Sequence, residues 1–392
     1  MKRLFILLSI LTITKSLNAQ WTLNMQQGGN VFSIIEVNNK MFVGTQFGVY
    51  KSDDYGVSWN LVNNGLGNTV VHVIMEWNDT LCAGTEDGVY ISSNYGANWT
   101  ASNTGMVGQK VNSLLLTKQG LYAGTDAGGI FFTNSLNTSW ITKNNGITNL
   151  KIKSLAIQNS RLLAGSYGAG LFVSDDNGNT WSVHNAGLVS WFIRYILVND
   201  NRIFISSDMN FCVSNNSGNS WSVLTTPFGA TVLCGIASND TLLVGTDGDG
   251  VAYSYDNGVS WSMWNDGLSN KNIYALANIN NNYWAACCCG YGLFNRGVSE
   301  ITNVFSHQTA DAKATIFNIY PTPTSSSYTI SIDKPYQNCI LEMYDYTGKL
   351  ISKELIQKFP FTKNVKGLKA GLYLLNISKN NKLIVTKKLI VE

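Results

Sequence analysis

The chain has 392 residues, a formal net charge of +3, 13% charged residues, 36 Gly and 11 Trp. That is too apolar and aromatic for a disordered chain. Low charge with abundant Gly and Trp suits short strands joined by tight turns.

The chain opens on Lys2 and Arg3, followed by an uncharged apolar run from Leu4 to Thr14 and a small-x-small step at Leu17-Asn18-Ala19 before Gln20. This pattern predicts a signal peptide over residues 1–19 and an extracytoplasmic destination. The run falls short of the ~20 residues that a bilayer span needs. No later segment is long and apolar enough to span, so no transmembrane helix is expected.

From Gln20 onward the tryptophans keep time. Trp21, Trp59, Trp99, Trp140, Trp181, Trp221 and Trp261 are spaced by 38 to 41 residues, the mark of a repeat architecture. Each closes a phrase of the form Ser-x-Asp-x-Gly-x-Ser/Thr-Trp. Full copies carry Asp54, Gly56 and Trp59; Asp176, Gly178 and Trp181; and Asp256, Gly258 and Trp261. Asn94, Gly96 and Trp99, and Asn216, Gly218 and Trp221, form two copies with Asn in place of Asp. The copy ending at Trp140 is degraded, with Ser135 and Asn137 where Asp and Gly belong. The expected chemistry is local: the Asp or Asn accepts backbone N–H groups two residues on, and Gly takes a positive φ. The Trp ring covers the apolar face of the hairpin.

Four strands fit each unit. In the second they are Val70–Met75, Leu81–Thr85, Gly88–Ser92 and a strand beginning at Trp99. Four short antiparallel strands in ~40 residues make one propeller blade. The unit after Trp261 stops without a Trp, while Trp21 has no strands before it. Pairing the two closes the ring and leaves seven blades.

These repeats resemble the Asp-box repeats of bacterial neuraminidases, also found in sortilin-type receptors, xyloglucanases and photosystem II assembly factors, over roughly residues 20–300. The resemblance implies a seven-bladed β-propeller and is nearly silent on activity. Sialidase chemistry would imply a three-arginine clamp, yet the propeller holds only Arg161, Arg194, Arg202 and Arg296, none in an Arg-Ile-Pro setting.

Beyond Asn303 the period ends, and a linker is expected over 304–315. Residues 20–313 carry 13 Lys+Arg against 19 Asp+Glu, whereas residues 314–392 carry 11 against 5. This reversal supports a boundary and a separate domain over 316–392. Strands at Tyr328–Ile332, Ile340–Asp345 and Leu372–Ile377, with a turn at Thr347-Gly348-Lys349, predict a small β-sandwich. The tail closely resembles the type A C-terminal sorting domain of type IX secretion substrates. The matching residues are Asn318-Ile319-Tyr320-Pro321-x-Pro323-Thr324, Tyr344-Asp345-Tyr346-Thr347-Gly348-Lys349, Gly371-Leu372-Tyr373 and Lys387-Lys388-Leu389-Ile390-Val391. The resemblance implies Gly371, Tyr373, Lys387 and Lys388 as part of a sorting signal, with the type IX machinery as partner. Its lysines are dispersed among strands rather than interleaved with aromatics, so no nucleic-acid partner is expected.

The loops after each second strand should share one face of the disc, with the Asp boxes at the rim of the opposite face. The first face then gathers Glu86, Asp87, Asp126, Asp208, Asp247 and Asp249 with Phe47, Tyr167 and Tyr291. Mild acidity with aromatics suits carbohydrate, a cation or a basic peptide; the competing reading is a set of ordinary polar turns. A glycoside hydrolase would need paired carboxylates ~5–9.5 Å apart, and no blade carries a long insertion to wall a cleft. The favoured reading is therefore a noncatalytic secreted binding or scaffold module for glycan, protein or envelope material, and the alternative is a secreted glycoside hydrolase acting on polysaccharide. His72, His184 and His307 are isolated from one another, with His72 read as core or channel-lining. No metal or cofactor is expected. Cys82, Cys212, Cys234, Cys287, Cys288, Cys289 and Cys339 are odd in number and irregular in spacing, which is no disulfide framework, although Cys212 with Cys234 leaves one pairing open.

Overall fold

The computed structural model describes residues 20–25, 29–106, 108–290, 292–297, 317–320, 324–332, 338–345, 349–379 and 382–391. The expected signal peptide (1–19), the linker (304–315) and Tyr291 lie outside the described residues. The chain divides into two compact units, 1–296 and 297–392.

The first unit is a seven-bladed propeller of four-stranded antiparallel sheets. Blade 1 is Val31–Val37, Lys40–Thr45, Gly48–Ser52 and Asn60–Leu61, ordered from the axis outward, and blades 2 to 6 repeat it. Each innermost strand lies against the innermost strands of both neighbouring blades, so the ring is complete. In blade 7, Ile273–Ile279, Asn282–Cys287 and Leu293–Gly297 receive Thr22–Met25 as their outermost strand. The closure expected from Trp21 is the one observed.

Burial follows from this geometry. Second strands such as Lys40–Thr45 and Leu121–Thr125 are buried on both faces, because each lies between two sheets. Beyond the partly exposed first residue of the longer ones, their side chains are accordingly small or apolar, without the alternation of a half-exposed strand. The core is thus a series of layers between blades: Phe42 and Val49 of blade 1 pack with Val71, Leu81, Tyr90 and Trp99 of blade 2.

The Asp boxes tighten the turn between third and fourth strands. The Ser52 hydroxyl donates to Asp54 Oδ1 (2.7 Å) and accepts from the Gly56 N–H (2.7 Å). Asp54 then accepts the Ser58 N–H (2.9 Å) on one oxygen and the Ser58 hydroxyl (2.6 Å) on the other. The carboxylate therefore spans four residues, not the two expected from simple turn chemistry, and the two-residue step belongs to the serine. Asn94 and Asn216 make the same bond to the N–H four residues on. Tyr55 and Gly56 both sit at positive φ (54° and 91°), which is where the sequence needs Gly.

The tryptophans do more than cover a hairpin: they stitch one blade to the next. Trp99 Nε1 donates to the Val62 carbonyl of the preceding blade (2.7 Å), and its backbone N–H to Asn64 (2.8 Å). Trp140, Trp181 and Trp221 repeat both bonds. Trp21, 1% exposed, repeats them across the closure, to Trp264 and Asp266 (both 2.7 Å). Trp59 and Trp261 instead bond the carbonyls of their own Gly56 and Gly258.

The second unit has a three-stranded sheet (Phe317–Tyr320, Ser327–Ile332, Phe361–Asn364) and a four-stranded one (Leu350–Ile356, Cys339–Asp345, Gly371–Lys379, Lys382–Val391). Tyr328 and Ile330 of the first share one core with Leu341, Met343, Leu375 and Ile377 of the second, as a sandwich requires. Thr347 and Gly348 of the expected turn lie outside the described residues. No helix among the described residues is long and apolar enough to cross a membrane.

Candidate functional site

Every innermost strand begins with the same irregularity. Val31, Val71, Val111, Ile152, Ile193, Val232 and Ile273 pair with the last residue of the second strand, and the residue two positions on pairs with the one before it. The intervening residue is a β-bulge, which re-aims its side chain out of the ladder. Seven bulges produce one ring at the channel mouth: Phe32, His72, Asn112, Lys153, Arg194, Leu233 and Tyr274. They line a cavity of about 470 Å³ around the propeller axis.

A second ring stands beside it, from the residue following each second strand. Glu86, Asp126, Tyr167, Asp208 and Asp247 hold equivalent positions in it, with Phe47 and Asp87 one residue and Asp249 two residues beyond. The N–H groups of Asp126, Tyr167, Asp208 and Asp247 bond the residue just before the neighbouring inner strand, which fixes them at the mouth. On the same rim an asparagine clamps the loop: Asn63, Asn103, Asn144, Asn185 and Asn265 each accept one backbone N–H and donate to one carbonyl across it. The antiparallel strand order leaves the Asp boxes at the other end of the blades.

Two of the six carboxylates expected on this face, Glu86 and Asp126, are paired with lysines. Glu86 accepts from Lys110 (2.8 Å) and lies 3.3 Å from His72; the Lys110 bond holds its carboxyl below the usual range. Burial pushes the Asp126 carboxyl up, but bonds from Lys153 and Asn112, with Lys151 at 3.8 Å, bring it below the ordinary value. Burial lowers the Lys153 ammonium against the pull of Asp126. His72 is pushed down to about 4, by burial first and then by Lys110 and Lys153, so it is neutral at pH 7. Asp208 accepts the Ser190 hydroxyl (2.5 Å), and Asp249 caps the Gly229 and Ala230 N–H groups (2.9 Å each). Glu86 and Asp126 thus hold lysines, while Asp208 and Asp249 hold loops.

Sequence reasoning missed the cations. Arg194 stacks over the Tyr167 ring (4.9 Å) and donates to its hydroxyl (3.2 Å), while Lys151 lies over the same ring at 5.1 Å. Aligning the repeats on their inner strands, rather than on their tryptophans, would have displayed the variable bulge position.

No group of three or more His, Cys, Asp or Glu among the described residues is placed to hold a metal ion. All seven cysteines are free thiols, Cys212 and Cys234 included; six are buried and Cys289 is exposed. Two further hollows, of about 480 and 500 Å³, lie among the Asp-box turns, lined by residues such as Asn94 and Asn216 that those turns already use.

In the second unit, Gly371 (φ 152°) opens its strand and the buried Tyr373 donates its hydroxyl to the Lys369 carbonyl (2.9 Å). Lys387 and Lys388 lie opposite Leu375 and Leu374 in the ladder. Residues 318–392 match the family of secretion system C-terminal sorting domains. The tail is a sorting domain. It marks the chain as cargo of the type IX route, secreted or attached at the outer-membrane surface.

The propeller has solved counterparts. The extracellular domain of a proposed one-component system from B. thetaiotaomicron matches with TM-score 0.59 at 12% identity, over 95% of this chain and 59% of that one. The chain thus spans under three fifths of that domain's length. YCF48 from Cyanidioschyzon merolae matches with TM-score 0.56 at 15% identity, over 72% of this chain and 100% of that one. YCF48 bound to D1 peptide matches with TM-score 0.57 at 13% identity, over 71% and 97%. At such identities the likeness establishes the fold alone. Among curated proteins no sequence matches.

Proposed function

We propose that this chain is a noncatalytic binding or scaffold module, presented outside the cell through its sorting domain, which holds a glycan, protein or envelope ligand at the channel mouth. In this reading residues 1–19 are the removed leader, 20–303 the propeller, 304–315 a linker and 316–392 the tail engaged by the export machinery through Gly371, Tyr373, Lys387 and Lys388.

The observation that carries the reading is the contrast between repeats. The Asp boxes are near-copies, while the seven bulge positions hold seven different residue types around one cavity. Repetition is what a scaffold needs; divergence at one rim is what a particular ligand needs. The candidate contacts are Phe47, Glu86, Asp87, Asp126, Tyr167, Asp208, Asp247 and Asp249, joined by Lys151, Lys153 and Arg194.

The pairing of Glu86 and Asp126 with lysines weighs against either of them serving as the acid of a hydrolase. A glycosidase needs one carboxyl whose pKa is raised so that it acts as an acid. The displaced propeller carboxyls, those of Asp53, Asp54, Glu86, Asp126 and Asp176, are all displaced downward. Screening the mature chain on glycan, polysaccharide and protein arrays tests the proposal. Saturable binding without turnover is expected; hydrolysis abolished by Asp126→Ala or Asp247→Ala overturns it.

A further inference from the structure

Around blades 3 to 5 the mouth carries a surface that the rest of the rim lacks. Trp191 (55% exposed), Phe192 (41%), Val189 (60%) and Met209 (72%) stand in solvent on the loops of that sector. Tertiary bonds place the loops of Trp191, Phe192 and Met209 together. The Trp191 carbonyl accepts the Gly168 and Gly170 N–H groups, and Phe192 packs edge-on against Tyr167 (4.9 Å). Met209 occupies the equivalent loop of blade 5, next to Asp208, whose N–H bonds the Phe192 carbonyl. Large apolar side chains exposed side by side are costly in a soluble protein unless something covers them.

The charges beside this patch say what the cover is. Lys151, Lys153 and Arg194 border the patch at Tyr167 and the channel mouth. Asp126 is held by both lysines, and Asp208 is held by Ser190. Among the described residues Arg194 has no carboxylate within ion-pair distance, and its guanidinium rests on the Tyr167 ring, pre-oriented for a planar acid.

We propose that this sector docks an acidic polypeptide segment bearing apolar side chains, with carboxylates on Arg194 and the lysines and aliphatic or aromatic side chains on Trp191, Phe192 and Met209. The inference rests on the binding reading above and names the ligand class. A polypeptide fits better than an acidic polysaccharide. Val189 and Met209 give no flat platform for a sugar ring, whereas they accept apolar side chains of varied shape. An exposed aromatic beside an arginine is also the usual composition of a protein-binding hot spot.

The test pans a displayed library of random dodecapeptides against the mature chain, with Arg194→Gln/Trp191→Ala as counter-target and Val259→Ser, at an exposed Asp-box position, as control. Thermal melts matching the parent show that the variants fold. Enrichment of net-acidic peptides with an aromatic or large aliphatic residue is expected. Their affinity should fall ~10-fold or more on the double variant and stay unchanged on Val259→Ser. Added salt should weaken binding. Enrichment of neutral or basic peptides, equal binding to the double variant, or no enrichment over it overturns the proposal. Polygalacturonate serves as the parallel probe. If it binds and is lost on the double variant while no peptide enriches, the polypeptide assignment falls and the mouth survives as a binding site. If array ligands bind but ignore every mouth substitution, the site itself falls.

Discussion

The two ends of each blade are built by opposite rules. At the Asp-box end, five turns use the same hydrogen bonds in the same register, and a tryptophan next to the turn most often ties its blade to the one before. At the channel mouth the backbone repeats just as closely, with a bulge in every blade and an asparagine clamp in five, but the side chains it displays do not repeat. Repeats tolerate diversity where the backbone, not the side chain, maintains the geometry. The mouth is thus free to specialise at little cost to the ring.

That division is sharpest at the closure. Trp21→Ala removes a fully buried indole and its bond to Trp264 beside the strand Thr22–Met25, which joins blade 7 through its hydrogen bonds to Leu293–Gly297. A cost of about 3–5 kcal/mol is expected, read as a fall in the urea midpoint. A loss no larger than that of a surface substitution would show that the closing strand is dispensable. Gly146→Ala strikes a seam of the same kind: its Cβ would lie 2.1 Å from the Trp181 carbonyl oxygen, at φ 92°. About 2–3 kcal/mol is expected, against near-neutral replacements at the exposed Phe47.

The mouth end has its own structural element. Asn185→Ala deletes the bonds to the Leu171 N–H and Ala169 carbonyl (2.9 Å each) and should cost about 1–2 kcal/mol. Locally faster amide exchange at Leu171 would accompany it, while the Asp box of the same blade stays protected. Equal exchange at both ends would break the distinction between them.

What the sequence makes legible follows the same line. The tryptophan period reveals blade number, order and closure because one residue type recurs at a position that folding demands. The bulges leave no such trace. Phe32, His72 and Lys153 share neither polarity nor size, so their equivalence shows only when the repeats are aligned on the Val or Ile before each, not on the tryptophans. The ion pairs at the mouth join neighbouring blades, Lys153 to Asp126 and Lys110 to Glu86, at separations of 27 and 24 residues. A one-dimensional reading sees the acids as a patch and misses their partners. Exposed Trp191 is obscured for a similar reason: it falls outside the period and looks like one more core aromatic.

The Asp boxes also carry a pH signature that the mouth lacks in this form. Hydrogen bonds from Ser58 hold the Asp54 carboxyl down to about 2, and bonds from Thr180 do the same for Asp176. A carboxyl whose folded pKa is depressed binds its proton more weakly folded than unfolded. Its stabilisation is therefore present above the unfolded value near 3.8 and is lost as the pH falls toward 2. Asn94 and Asn216 show that an amide makes the same bond to the N–H four residues on without titrating. Asp54→Asn/Asp176→Asn should therefore melt slightly below the parent at pH 7, and the gap should narrow or vanish between pH 4 and 2. Melting curves across that window check the sign. A gap that widens on acidification would mean that the folded pKa of these carboxyls lies above the unfolded value, the opposite of what bonds within their turns impose.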